Sequence, residues 1–241
     1  MMLQGGVLCK KGLKRKVNQD RAELLMDGDH ALCFVADGMG GHYAGEQASR
    51  ILNDLLTRWW THCHQQAAQM TPQWVAEEFK ELFRLSAERI GALTPHNQYC
   101  GSTIVLLWVS AGQYLLMTAG DSRCYQVQPS FFHTEVMQIS KDDLYHARGV
   151  DDASMEGKLT NAIGSNYEAA LTIRSGNMEK NTLFALCSDG VYRYCSEEEL
   201  VKIWSRAARQ GKMESTLQQV DEMICAHGAP DNYSLVLIQR K

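Results

Sequence analysis

Four aspartates stand at the ends of apolar runs: Asp37 in LCFVADGMGGH, Asp121 in LLMTAGDSR, Asp189 in LFALCSDG, and Asp231 in PDN just before YSLVLI. Short runs rich in Val, Ile, Leu or Phe and bounded by Gly, Asp or Ser read as buried strands. If those strands lie antiparallel, the end of one sits beside the start of its neighbour, and the carboxylates gather at one edge of the core. Clustered carboxylates repel one another unless a cation neutralises them. Hard oxygen ligands with water in the remaining positions suit Mg²⁺ or Mn²⁺. Two such ions about 3.5–4 Å apart can share a water and clamp a transferring phosphoryl group. No His- or Cys-rich spacing supports zinc instead. A single Asp-Gly after a strand reads as a turn. The coincidence of several with Gly38, Gly40 and Gly41 points to metal-assisted phosphoester chemistry, because those glycines let the backbone, and the Gly38 carbonyl with it, approach an ion.

The elements that must position these groups are five apolar strands and four helices. The strands are Ala31–Ala36, Ser102–Val109, Tyr114–Ala119, Leu183–Cys187 and Tyr233–Ile238, with a hairpin turn at residues 110–113. A first helix carries Ala48, Ile51, Leu52, Leu55, Leu56 and Trp59 at helical spacing. A second starts at Thr71-Pro72 and buries Val75, Phe79, Leu82, Phe83 and Ile90. A third opens on the capping-box pattern Ser196–Glu199 and buries Leu200, Ile203 and Trp204. A fourth runs from about Glu214 to Ala226. The helices come in two consecutive pairs while the strands follow one another directly, which favours antiparallel sheets covered by helices over a doubly wound parallel sheet.

Composition agrees. With 45% hydrophobic and 22% charged residues, the chain can build a large core without a disulfide framework. The eight cysteines have no CxxC pair, which fits a reducing cytosol. A net charge of -4 argues against a nucleic-acid footprint. No stretch reads as a signal peptide or membrane span. Without a low-complexity linker or repeat, residues 1–241 read as one domain. The expectation is a cytoplasmic monomer with no nucleic-acid or membrane partner.

Arg15 offers a planar fork for two phosphate oxygens, although Lys10, Lys11, Lys14 and Lys16 around it also suit a solvated basic face. His62-Cys63-His64 reads as a solvated helix end, not a metal site, because adjacent helical residues point in different directions. Trp59-Trp60 suggests one core ring and one partly exposed ring.

The runs VADGMGGHYAGEQAS (35–49), GST (101–103), AGDSR (119–123), SDG (188–190) and DNYSLVLI (231–238) resemble the motifs of the PPM/PP2C serine/threonine phosphatases. Gly12, Arg15, Asn18 and Asp20 match that family's opening G-x-x-R-x-x-N-x-D pattern, and LTNAIG (159–164) is similar to its L-T-x-A-[IL]-G motif. The matches fall in family order over nearly the whole chain. The resemblance implies an α+β fold: a four-layer αββα sandwich of two antiparallel β-sheets flanked by helix pairs. It implies two core Mn²⁺ or Mg²⁺ ions at Asp37, the Gly38 carbonyl, Asp189 and Asp231, and a third, weaker site at Asp121 with Asp189. It implies phosphate binding by Arg15 and support of metal-bound water by Asp20. The implied reaction is attack of metal-bound hydroxide on phosphoserine or phosphothreonine, without a phosphoenzyme. The compact size and the DGMGGH form are similar to bacterial stand-alone members, whose partners are phosphorylated proteins and an opposing serine/threonine kinase.

Some positions depart from the family. Gln19 stands where some members have a glutamate ligand, and Met39 where eukaryotic members have a histidine, with His42 three residues on. Asn161 replaces a frequent arginine, and Ser140–Lys158, the region of the family's flap, is short. Two rivals remain: a binding or regulatory module that lost its chemistry, and a phosphohydrolase of small molecules.

Overall fold

The computed structural model describes residues 2–40, 44–94, 99–146, 155–164 and 169–241. One sheet runs in the order β1 (Leu3–Lys10), β12 (Tyr233–Arg240), β11 (Leu183–Cys187), β7 (Arg123–Pro129), β8 (Thr134–Gln138). The other runs β10 (Thr172–Asn177), β6 (Gln113–Ala119), β5 (Ile104–Ser110), β3 (His30–Met39), β4 (Gly101–Ser102), β9 (Ile163–Gly164), with β2 (Asp20–Asp27) also paired to β3. Every pairing within the two sheets is antiparallel.

The apolar runs are unbroken because both faces of the central strands are buried. Ala31, Cys33 and Val35 of β3 and Val105, Leu107 and Val109 of β5 pack into one cluster with Phe184, Leu186, Val236 and Ile238 from the opposite sheet. Their alternates Leu32, Phe34, Ala36, Ile104, Leu106 and Trp108 pack under α1 (Ala44–Cys63) and α2 (Pro72–Leu93). On the far side, Leu183, Ala185, Leu235 and Leu237 pack under α4 (Glu197–Gln210) and α5 (Met213–Ala226). The result is four layers, helices–sheet–sheet–helices, as the resemblance implied.

The helix starts follow from their caps. Thr71 accepts from the Trp74 amide at 3.2 Å with Pro72 in the first turn. Ser196 and Glu199 form the reciprocal capping box. Strands β1, β2, β8 and β10 escaped sequence reading because they lie at or near sheet edges and are only partly buried. β7 is short and sets Cys124, Tyr125 and Val127 among Arg123, Gln126 and Gln128, with no apolar run to mark it. The expected strand 102–109 is interrupted at Thr103, and the residues after Ser188 turn into a one-turn helix, α3 (Asp189–Tyr192).

One expectation is corrected. Trp59 and Trp60 are both buried, at 7% exposure each, because Trp59 packs on Phe79 and Trp60 stacks on His64. The His62 and His64 rings each meet the carbonyl four residues earlier, those of Arg58 and Trp60. Among the described residues, no helix is long and apolar enough to cross a membrane.

Phe184 joins the layer between the sheets and meets Tyr114 at 4.9 Å between ring centroids. Phe184→Ala is expected to lower unfolding free energy by about 3–5 kcal/mol, read by denaturant titration.

Candidate active site

β3 and β2 deliver the first two carboxyls together, since Asp37 and Asp20 are direct partners in the β2–β3 register. Beyond Asp37 the chain is bracketed by Thr103. The Asp37 amide donates to Thr103 Oγ1 at 3.0 Å, and the Thr103 amide donates to the Asp37 carbonyl at 2.9 Å. Thr103 Oγ1 in turn meets Ser122 Oγ at 2.7 Å, so the GST and AGDSR runs together fix where Asp37 ends. A Cβ on Gly38 would lie 2.1 Å from the Gly45 carbonyl oxygen, so only glycine lets β3 approach the start of α1 this closely.

Asp189 opens α3, one residue after Ser188, whose hydroxyl donates to Asp20 Oδ2 at 2.7 Å and accepts from the Ser234 amide at 3.0 Å. A Cβ on Gly190 would fall 1.9 Å from the Asn232 carbonyl oxygen. The SDG and DN segments therefore interlock at backbone distance.

Asn232, 5% exposed, anchors the loop over residues 11–19. Its Oδ1 accepts from the Gln19 amide at 2.9 Å, and its Nδ2 donates to the carbonyls of Lys11 at 2.7 Å and Val17 at 3.0 Å. That loop carries Arg15, which grips Asp231 with two bonds, Nε to Oδ1 and Nη2 to Oδ2, both at 2.7 Å. Asp121 follows β6 and receives the Tyr192 hydroxyl at 3.3 Å and Arg193 Nη2 at 3.5 Å.

Asp37, Gly38, Asp121, Asp189, Asp231, Arg15, Gln19 and Met39 all line one cleft of about 390 Å³. Asp20 lies buried behind it. A family model described as protein phosphatase 2C matches residues 13–225.

The chain belongs to the protein phosphatase 2C family.

Among relatives, the serine/threonine phosphatase stp of Listeria monocytogenes is 25% identical over 255 residues, covering 95% of this chain and 93% of that protein. The structure of PppA, described as a key regulatory component of the T6SS in Pseudomonas aeruginosa, superposes with a TM-score of 0.78 at 26% identity, covering 99% of this chain and 98% of that one. The catalytic domain of the phosphatase PstP, solved with two manganese ions, has the same fold, with a TM-score of 0.72 at 23% identity over 98% of this chain and 97% of that one.

The electrostatics of this phosphatase are dominated by crowding of like charge. Desolvation pushes the Asp37 carboxyl well above 3.8, and the charges of Asp20, Asp189, Asp121 and Asp231 push it further. Desolvation raises Asp20 to about 7 against the lowering effect of its Ser188 and Ser234 hydrogen bonds. Desolvation raises Asp189 to about 6, opposed by Arg193. Asp121 is raised by burial. The charge of Asp189 is among those that act on Asp37. Carboxyls crowded in this way repel one another unless protons or a cation compensate them. This donor set, all oxygen and crowded with like charge, fits a hard divalent cation. Among the described residues, no three acidic, His or Cys side chains already close on one point, and Asp231 is engaged by Arg15 instead.

Other expectations sort cleanly. Gln19 Nε2 reaches the Gly40 carbonyl at 3.4 Å, while its own carbonyl receives Ser49 Oγ at 2.5 Å and the Gly38 amide at 3.1 Å. Gln19 therefore links the Arg15 loop to β3 and α1. Asn161 is tied to Asp143 Oδ2 at 2.7 Å and to the Ala170 carbonyl at 2.8 Å, bracing the segment after the flap. His42 and residues 147–154 of the flap lie outside the described residues, whereas Gly157 and Leu159 line the cleft. Sequence reasoning missed Thr103, Ser188, Tyr192 and Arg193. Only Arg193 had a usable signal, its i,i+4 spacing from Asp189.

Two outcomes follow from this geometry. Asn232→Ala should cost about 1–3 kcal/mol, because it strands buried groups, and should speed amide exchange across residues 11–19. In divalent-free buffer the unfolded chain's aspartates ionise near 3.8, while folded Asp189 and Asp20 ionise at about 6 and about 7. The folded state thus binds more protons in between. The stability these groups contribute is full below 3.8 and is lost as pH rises through about 6 and about 7, a fall in melting temperature that scanning calorimetry would read.

Proposed function

We propose that this cleft hydrolyses phosphoserine and phosphothreonine in proteins with two bound Mn²⁺ or Mg²⁺ ions. Asp37, the Gly38 carbonyl, Asp189 and Asp231 would hold the ions. The observation that carries the reading is that Asp37, Gly38, Asp189 and Asp231 line one cleft together with the guanidinium-bearing Arg15. When bound, the ions supply Lewis acidity, lowering the pKa of a coordinated water and neutralising phosphate charge.

The chain's own residues do the rest. Arg15 is half-exposed at the rim and already shaped around two oxygens of Asp231, so the same fork suits two phosphate oxygens once Asp231 is taken up by an ion. Asp20, behind Asp37 and held by Ser188, supports the attacking water from beneath the ligands. Asp121 and Asp189 stand where the resemblance implied a third position, and Arg193 bridges them. The whole of residues 1–241 acts as one domain and a monomer in the cytoplasm. The likeness to stp, named a serine/threonine phosphatase, supports phosphorylated proteins as substrates, and a serine/threonine kinase would then act in opposition.

Asp189→Asn tests this. Phosphopeptide turnover with Mn²⁺ should drop by more than about 100-fold, since residues merely behind a metal ligand typically cost 10–100-fold. Melting in divalent-free buffer should not fall, because one repelling charge is gone. Full turnover by the chelated wild type would sink the proposal. Faster turnover of free nucleotides than of phosphopeptides would redirect it to small molecules.

A further inference from the structure

One cationic side chain in the cleft has no part in the reaction as proposed. Arg193 lies on the turn that follows Asp189, with its amide bonded to the Asp189 carbonyl at 3.0 Å. Its Nε meets Asp189 Oδ2 at 3.1 Å and its Nη2 meets Asp121 Oδ2 at 3.5 Å. The guanidinium thus spans the two carboxylates of the third position. We infer that Arg193 is a built-in counter-charge for the Asp121–Asp189 pair, standing in for a third divalent ion, so that this chain takes up ions at the core pair alone. The inference rests on the two-ion reading above and concerns how the same site is charged.

Three features distinguish this from a casual surface ion pair. Exposed pairs contribute little, and Arg193 itself is half-exposed, but its partners are not: the side chains of Asp121 and Asp189 are 9% and 18% exposed. An arginine keeps its charge at every pH the protein meets, so the compensation is permanent. The frame around it is also fixed. The Tyr192 hydroxyl donates to the Asp121 carbonyl at 3.1 Å as well as to its carboxylate. The Tyr192 ring lies under the Arg123 guanidinium at 3.6 Å, and Arg123 is clamped by Asp142 at 2.7 Å. Asp121 is therefore held facing Arg193 by a chain of contacts that runs back to β7. An ion entering between Asp121 and Asp189 would have to expel a charge already in place.

The test counts ions. Mn²⁺ bound per chain would be measured by equilibrium dialysis and native mass spectrometry for wild type, Arg193→Met and Arg193→Ala. Both variants should take up one further, weaker ion than wild type, and adding Asp121→Asn should remove it. The methionine keeps most of the stem volume, so a folded variant is available even if the alanine variant unfolds. Equal counts in wild type and Arg193→Met would overturn the inference, as would an extra ion that survives Asp121→Asn. The reading of the core is scored separately. If Asp37→Asn leaves wild-type Mn²⁺ uptake unchanged, the two-ion proposal fails, while the difference between wild type and Arg193→Met still reports on Arg193.

Discussion

Carboxylates that crowd into one desolvated cleft must be compensated, and the surroundings of Asp37 are organised by that need. Asp20, Asp121, Asp189 and Asp231 all raise its proton affinity. No aspartate in such a group is at ease in water-poor surroundings without a partner. The partners come from every side: Arg15 on Asp231, Arg193 on Asp189 and Asp121, Ser188 on Asp20. The repulsion is a cost that the fold carries to keep these carboxyls together.

The cost is bearable because the layers beneath are stiff. The central strands present apolar side chains to both faces, so three packed layers of core hold strand ends that would otherwise spread apart. Close packing of this kind gives little under strain. The two glycines that matter most, Gly38 and Gly190, sit where backbone meets backbone, and each would clash with a carbonyl oxygen if it carried a Cβ. The motifs are therefore joints between segments as well as carriers of acidic side chains.

This division explains what the sequence disclosed. Asp37, Asp121, Asp189 and Asp231 were legible because apolar strands and turn residues punctuate the chain around them, and the helix starts at Thr71 and Ser196 because capping chemistry is local. β1, β2, β8 and β10 were not, because a partly buried strand at or near a sheet edge leaves too weak an alternation. Trp60 was misjudged because its burial depends on His64 stacking over it. Thr103, Ser188 and Tyr192 act through hydrogen bonds to residues distant in sequence, and a hydroxyl carries no mark of its partner.

The pairing of β1 with β12 brings Lys10 opposite Tyr233, and the Arg15 loop then hangs from Asn232. The cleft is thus stitched from segments more than two hundred residues apart along the chain. Contacts of such long sequence separation form slowly, because a large loop must close before they reward it. β3, β5 and β6 pair with one another over shorter stretches of chain, whereas the loop that carries Arg15 gains its Asn232 bonds only when distant segments meet. Assembly of the cleft is therefore bound to the closure of that long loop and follows the pairing of the central strands.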